Sequence, residues 1–306
     1  MPPFWCRRTE PRILRPMPKV TAALLLGLLG CGPAPAPDPR PDPVPVAGHG
    51  EAPTPAPDPE PVAETPQETP AEPRMVVVSD PGLEARFADA SEPAPTVRLR
   101  RSASVRNEIT DDERWLGEHD IGHRSERPAE APETIGGEQF LFAIASDPPL
   151  AAYGQHYSCH YLWLPQPDGG ATVLDLRSLY VNEMQVNDAR RVGDRVYITR
   201  AHRTYASATD GKNASLIALD ASSGSVVWVT EPLTSNVVAF TLRDRVIFTG
   251  YGFTDEPDHL YAIDRLTGRR LAELALRKGP SYLVLEGDDL HVRTYDRDVT
   301  VTVQVR

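Results

Sequence analysis

Ala218-Leu219-Asp220-Ala221-Ser222-Ser223-Gly224-Ser225-Val226-Val227-Trp228 is the stretch on which the reading of this chain turns. Two short strands joined by a tight turn account for it. Leu216 to Leu219 is apolar and ends at Asp220, whose short carboxylate accepts backbone N–H groups inside a turn. Gly224 supplies the positive φ that closes such a hairpin at no steric cost. Val226 to Val229 is apolar on consecutive residues, so both faces of that strand are expected to be covered, as in sheets stacked face to face.

The pattern returns. Ala262-Ile263-Asp264-Arg265-Leu266-Thr267-Gly268 repeats it, with a step of 44 from Asp220 to Asp264, and Val173-Leu174-Asp175 lies 45 residues before Asp220 in the same strand-then-Asp form. A second marker travels with it. Gly193-Asp194-Arg195-Val196-Tyr197-Ile198 recurs as Arg243-Asp244-Arg245-Val246-Ile247-Phe248 and, more loosely, as Asp288-Asp289-Leu290-His291-Val292. A tight turn into a strand followed by an Asp and Gly hairpin, every 44 residues or so, is the signature of a four-stranded propeller blade, which buries its faces only by stacking on neighbours.

At these residues the chain resembles the PQQ-like repeat family, the propellers of the quinoprotein dehydrogenases and of the BamB type of outer-membrane assembly lipoprotein. The family pattern A-x-D-x-x-[ST]-G-x-x-x-W is met in full at Ala218, Asp220, Ser223, Gly224 and Trp228. The second copy keeps Ala262, Asp264, Thr267 and Gly268 but has Ala272 in place of Trp, and the third keeps Asp175 and Ser178. The resemblance implies structural, blade-docking roles: Trp228 stacks between neighbouring blades, and Asp220 and Gly224 shape the turn beside it, as Asp264 and Gly268 do in the second copy.

The 306 residues divide unevenly. Val20 to Gly30 is an apolar run of eleven behind basic residues, too short to span a bilayer and suited to the core of a signal peptide over residues 1–30. It ends in Leu28-Leu29-Gly30-Cys31, which matches the lipobox of bacterial lipoproteins and implies lipidation of Cys31. Two or three acyl chains give stable anchoring, and Gly32 in the place of a retaining Asp favours the outer membrane. Residues 31–74 form a Pro-rich linker: 15 of the 43 from Gly32 to Arg74 are Pro, an extended spacer reaching at most on the order of 130 Å. Residues 75–134 hold early strands, at Met75 to Val78 and Thr96 to Leu99, and a charged loop or disordered excursion from Ser102 to Gly137. Residues 135–306 carry the repeats. The early strands are expected to add to Leu290 and Val299 to Val305 and close the last blade. Only 232 residues follow the linker, which fits an all-β, small or incomplete propeller of about four to five blades.

Removing the leader, with five basic residues and one acidic, takes the formal charge from −11 to −15. Such a surface argues against nucleic acid and against adhesion to anionic lipid. His156, Cys159 and His160 are the one soft-ligand cluster, but in a strand the two His share a face that Cys159 leaves, and no fourth ligand is apparent, so no metal is expected. A lone buried Cys159 is the expectation. Tyr251, Phe253 and Tyr261 suit either a contact surface or the core. No adjacent cysteine pair of the quinoprotein kind, no catalytic elbow and no phosphate loop occurs, and no cofactor is expected. The expected function is a membrane-anchored envelope lipoprotein whose propeller is a non-catalytic protein-binding or scaffold module, with an envelope protein or complex as partner. The alternative is a quinoprotein-like enzyme or small-ligand carrier using the propeller funnel.

Overall fold

In chain order the strands are β1 (Arg74–Val77) and β2 (Val97–Arg106), then, after the helix α1 (Asp112–Glu118), β3 (Thr134–Ile135), β4 (Glu138–Ile144), β5 (Leu150–Gln155), β6 (Ser158–Pro165) and β7 (Ala171–Asp175). They continue with β8 (Met184–Val192), β9 (Arg195–His202), β10 (Ser215–Asp220), β11 (Val226–Val229), β12 (Thr241–Arg243) and β13 (Val246–Tyr251). Last come β14 (His259–Asp264), β15 (Arg270–Ala275), β16 (Pro280–Glu286), β17 (Asp289–Thr294) and β18 (Arg297–Val305). This computed structural model describes residues 72–79, 82, 84–107, 112–119, 125–144, 148–155, 158–180, 184–202, 205–253 and 256–306, all within the unit Thr69–Arg306.

The strands form four sheets. The first has the order β1-β7-β6-β5-β4-β3; the others are β11-β10-β9-β8, β12-β13-β14-β15 and β16-β17-β18-β2, each four strands wide. Alternation along the strands assigns faces. In β10, Leu216 and Ala218 join a core shared by the second, third and fourth sheets, while Ile217 and Leu219 join one shared by the first and second. In β11, Trp228 belongs to the former and Val229 to the latter, so the consecutive apolar run does have both faces covered. The architecture is all-β and propeller-like, with sheet stacked on sheet in chain order.

The two N-terminal strands end up at opposite ends of this stack. β2 pairs antiparallel with β18 from Val97↔Val305 to Arg106↔Arg297, as expected of an early strand completing the last sheet. β1 does something else: it pairs in parallel with β7, Met75 opposite Val173, and becomes the outer strand of the first sheet. The expected loop from Ser102 to Gly137 is also corrected. β2 runs on to Arg106, β3 occupies 134–135, and α1 lies between them. What fixes α1 is long-range: Trp115 is buried against Tyr282 with ring centroids 6.2 Å apart, and Asp112 accepts Arg293 Nε at 2.8 Å. The helix therefore lies on the outer face of the fourth sheet. Tyr251 and Tyr261 are buried, which assigns them to the core.

Candidate functional site

The two Asp and Gly turns are built alike. Asp220 Oδ1 accepts the N–H groups of Ser222 (3.1 Å) and Ser223 (3.0 Å), while Gly224 N–H donates to the Asp220 carbonyl at 2.8 Å. Asp264 Oδ1 accepts Leu266 N–H at 3.0 Å, its Oδ2 accepts the Thr267 hydroxyl at 2.9 Å, and Gly268 N–H closes the turn at 2.8 Å. Each carboxylate also holds an arginine from the start of the preceding strand. Arg195 reaches Asp220 at 2.8 Å, and Arg245 grips Asp264 through Nε and Nη2, both at 2.8 Å. That explains why the Gly-Asp-Arg and Arg-Asp-Arg marker travels with the Asp. In the first sheet Asp175 finds a local substitute, Arg177, two residues on. Burial pushes the Asp220 carboxyl up, but the hydrogen bonds from Ser222 and Ser223 outweigh it and hold the group down to about 2. Asp264 is lowered in the same way, its burial overcome by Arg245 and the turn donors.

Ala218 and Ala262 are fully buried and face Trp228 and Ala272 across their hairpins, each just before a bulge in the same position. Trp228 is buried, 5.8 Å from the Tyr197 ring, and donates Nε1–H to the Arg265 carbonyl of the third sheet at 3.1 Å. Gly268, at φ +79°, lies under its indole: a Cβ there would stand 2.8 Å from the ring. One sheet back the same relation holds, for a Cβ on Gly224 (φ +66°) would stand 2.9 Å from Val76 of β1. The docking unit is thus an outer-strand side chain on one sheet over the turn glycine of the next. Cys31, and with it the lipobox and linker, lies outside the described residues. So does His156. Cys159 is fully buried, and His160, on the opposite face, bonds Glu138 through Nδ1 at 2.7 Å; the described part of that cluster converges on no common point.

Three further arrangements were not visible in the sequence. Between the second and third sheets, buried Asp188 pairs with Arg190 at 2.6 Å and accepts Phe240 N–H at 3.0 Å, while Arg190 Nη2 donates to the Phe240 carbonyl at 2.9 Å. Four partners close a ring around the backbone that enters the third sheet, satisfying charges that burial would otherwise make costly.

The second arrangement is a cleft of about 290 Å³ where β2 and β18 meet the turn after β15, lined by Arg101, Ser104, Arg277, Thr294, Arg297 and Val299. Arg106 stands directly opposite Arg297 across the strands, a like-charge pair that is unfavourable by itself. Asp296 offsets part of it, 3.4 Å from Arg277 and 3.8 Å from Arg297. Arg98 and Arg100 are exposed on β2 as well. β2 is a sheet edge: among the described residues no strand pairs with its outer side. A ten-residue edge of this kind is a template for a further strand.

The third is His119, Glu286 and His291. Glu286 ends β16, and His291 on β17 stands opposite Val284, two residues back, so the two side chains share the sheet face on which α1 lies. His119 follows the last turn of α1. Its Nδ1 is 3.0 Å from Glu286 Oε1, His291 Nε2 is 3.6 Å from Oε2, and the two imidazoles stack with centroids 4.4 Å apart.

No protein-family model matches this chain, and no curated protein does. Among solved structures, BamB from Moraxella catarrhalis is similar over 54% of this chain and 69% of its own, at 12% identity and a TM-score of 0.27. The computationally designed Ika4 protein is similar over 49% and 86%, at 14% identity and 0.30. The mitotic checkpoint complex contains a chain similar over 55% and 51%, at 12% identity and 0.33.

Proposed function

We propose that the four sheets are four blades of a small, incomplete propeller, and that this body is a non-catalytic protein-binding module of the cell envelope held on its membrane by a lipid at Cys31. The partner is an envelope protein that offers an extended, acidic segment, which adds to β2 as a further strand. One observation carries this reading: the free edge of β2 runs beside a cleft lined by arginines, on a protein whose formal charge is −11. Main-chain pairing along the edge supplies affinity, and side chains alternate above and below it. Carboxylates on one side meet Arg101, Arg106, Arg277 and Arg297, and those on the other meet Arg98 and Arg100. Arginine suits this because its planar fork takes a carboxylate through two N–H donors.

The test is crosslinking in intact cells with the full-length protein, followed by identification of what is attached. The expected result is one envelope protein, captured at least tenfold less by a chain carrying Arg101→Glu and Arg106→Glu. Equal capture by the charge-reversed chain would remove β2 from the reading. Cys31→Ser is expected to release the protein from the membrane fraction, and continued fractionation with membrane counts against the anchor.

A further inference from the structure

Two imidazoles and a carboxylate that converge from separate elements need a reason to be together. Glu286 and His291 come from one hairpin, and His119 comes from a helix about 170 residues earlier in the chain. One ligand atom from each of His119, Glu286 and His291 lies within 4.8 Å of the other two. In a tetrahedral zinc site with bonds of about 2.0–2.1 Å, ligand atoms stand about 3.3 Å apart. The separations of 3.0 Å from His119 Nδ1 to Glu286 Oε1 and 3.6 Å from His291 Nε2 to Oε2 lie on either side of that distance, one nitrogen against each carboxylate oxygen. Stacked rings 4.4 Å apart present their donor nitrogens to the same side, where the carboxylate is.

The surroundings fit an ion as well. His119 and His291 are about four-fifths buried, their side chains 21% and 23% exposed, whereas Glu286 is 52% exposed and leaves the position open to water. Beneath the group Trp115 packs on His119, ring centroids 4.6 Å apart, and Val284 is buried opposite His291. Imidazole and carboxylate together select the zinc end of the divalent series over calcium or magnesium, which take oxygen ligands alone.

We propose that His119 Nδ1, Glu286 and His291 Nε2 bind one divalent transition ion of the zinc class, with water completing its coordination. The ion replaces the hydrogen bonds that now tie the imidazoles to the carboxylate. It clips α1 to the β16–β17 hairpin, giving a seven-residue helix a third fixed point, at its C-terminal end, besides Asp112 and Trp115. Helices this short do not hold themselves in water, so each such tie adds to how firmly the outer face of the fourth sheet is covered.

The experiment uses the full chain without a polyhistidine tag, stripped with chelator and titrated with zinc, and with cobalt as a visible reporter. The expected result is one saturable ion per chain and a tetrahedral or five-coordinate cobalt spectrum. Hydrogen exchange over residues 112–119 slows on binding. His119→Gln and His291→Gln each lower the affinity at least tenfold, while His160→Gln leaves it unchanged. His119→Gln lies at the end of the helix, so its fold can be verified by an unaltered far-UV spectrum. Absence of saturable uptake, or uptake that survives both His119→Gln and His291→Gln, overturns the site.

Discussion

The hairpin from Ala218 to Trp228 and its successor from Ala262 to Ala272 share their turn, their bulge and their arginine, yet they differ at the one residue that reaches the next sheet. Trp228 lies over Gly268, whereas Ala272 has no turn glycine to cover. The fourth sheet lacks such a turn because its outer strand is β2, brought from the N-terminal side rather than from a hairpin after β18. Arg101 of β2 reaches back instead and donates to the Ala275 carbonyl at 2.8 Å. A large docking side chain is therefore required where the next sheet offers a flat glycine turn, and a small one where it offers a strand with long side chains of its own. At the first interface Val76, Val78 and Leu174 together cover Gly224, doing with three aliphatic side chains what Trp228 does with one ring.

The largest expected effect is at Trp228. Trp228→Ala should cost about 3–5 kcal/mol of stability by chemical denaturation, because it empties a fully buried site. Gly268→Ala in the same background should cost much less than in the native chain, leaving only the strain of its φ. Additive losses would break the pairing of ring and glycine. Next come the two carboxylates. Asp264, 1% exposed, is expected to cost about 3 kcal/mol on replacement by Ala because Arg245 is left buried without it; Asp220, 27% exposed, should cost about half as much. Equal losses would show that burial does not distinguish the copies. Ala272→Trp, which completes the sequence motif, should destabilise by about 1–3 kcal/mol through overpacking against β2, and a gain in stability would refute the account of the third interface.

The smallest effects concern pH. Asp220 has its folded value depressed to about 2, so its contribution is present above the ordinary carboxylate value of about 4 and is lost as pH falls from there towards 2. Asp258 has the opposite sign. Burial pushes it up to about 6, so the folded chain keeps a proton that the unfolded chain has released, and stability declines as pH rises from about 4 to about 6. Denaturation midpoints across pH 2 to 7 should show Asp220→Asn flattening the lower limb and Asp258→Asn the upper one. A profile unchanged by both substitutions would detach these groups from the acid response.

The sequence revealed whatever is local. An Asp four residues before a Gly, an apolar strand on each side and a fixed period predict a hairpin and its recurrence, and those features are set by backbone sterics within ten residues. The pairing of β2 with β18 was legible too, since a stack of sheets needs its last member completed. What escaped depends on partners far away in the chain. β1 adds in parallel to β7, where nothing in Arg74 to Val77 specifies direction. α1 sits in a charged stretch with a single aromatic anchor, Trp115, whose pocket is made by the fourth sheet. The cleft draws Arg101, Arg277 and Arg297 from three separate segments, and His119 meets Glu286 only after the whole stack has formed. Asp188 and Arg190 are polar residues within β8; Phe240, fifty residues on from Arg190, makes them a buried clamp.

The exchange of β2 into the last sheet also sets a timetable. Val97 pairs with Val305, so the first strand of the fourth sheet to leave the ribosome waits for the last, over roughly 200 residues. At about 5–20 residues per second that is roughly 10–40 s of synthesis during which β2 has no partner. The contact joins distant parts of the chain, and loop closure of that span is paid in entropy before any packing returns it, which makes this step slow compared with hairpin formation. Removal of β18, Arg297–Val305, would leave β2 without the strand it pairs with. The consequence is a fourth sheet finished from both sides of the repeats: β2 is held only once β18 exists.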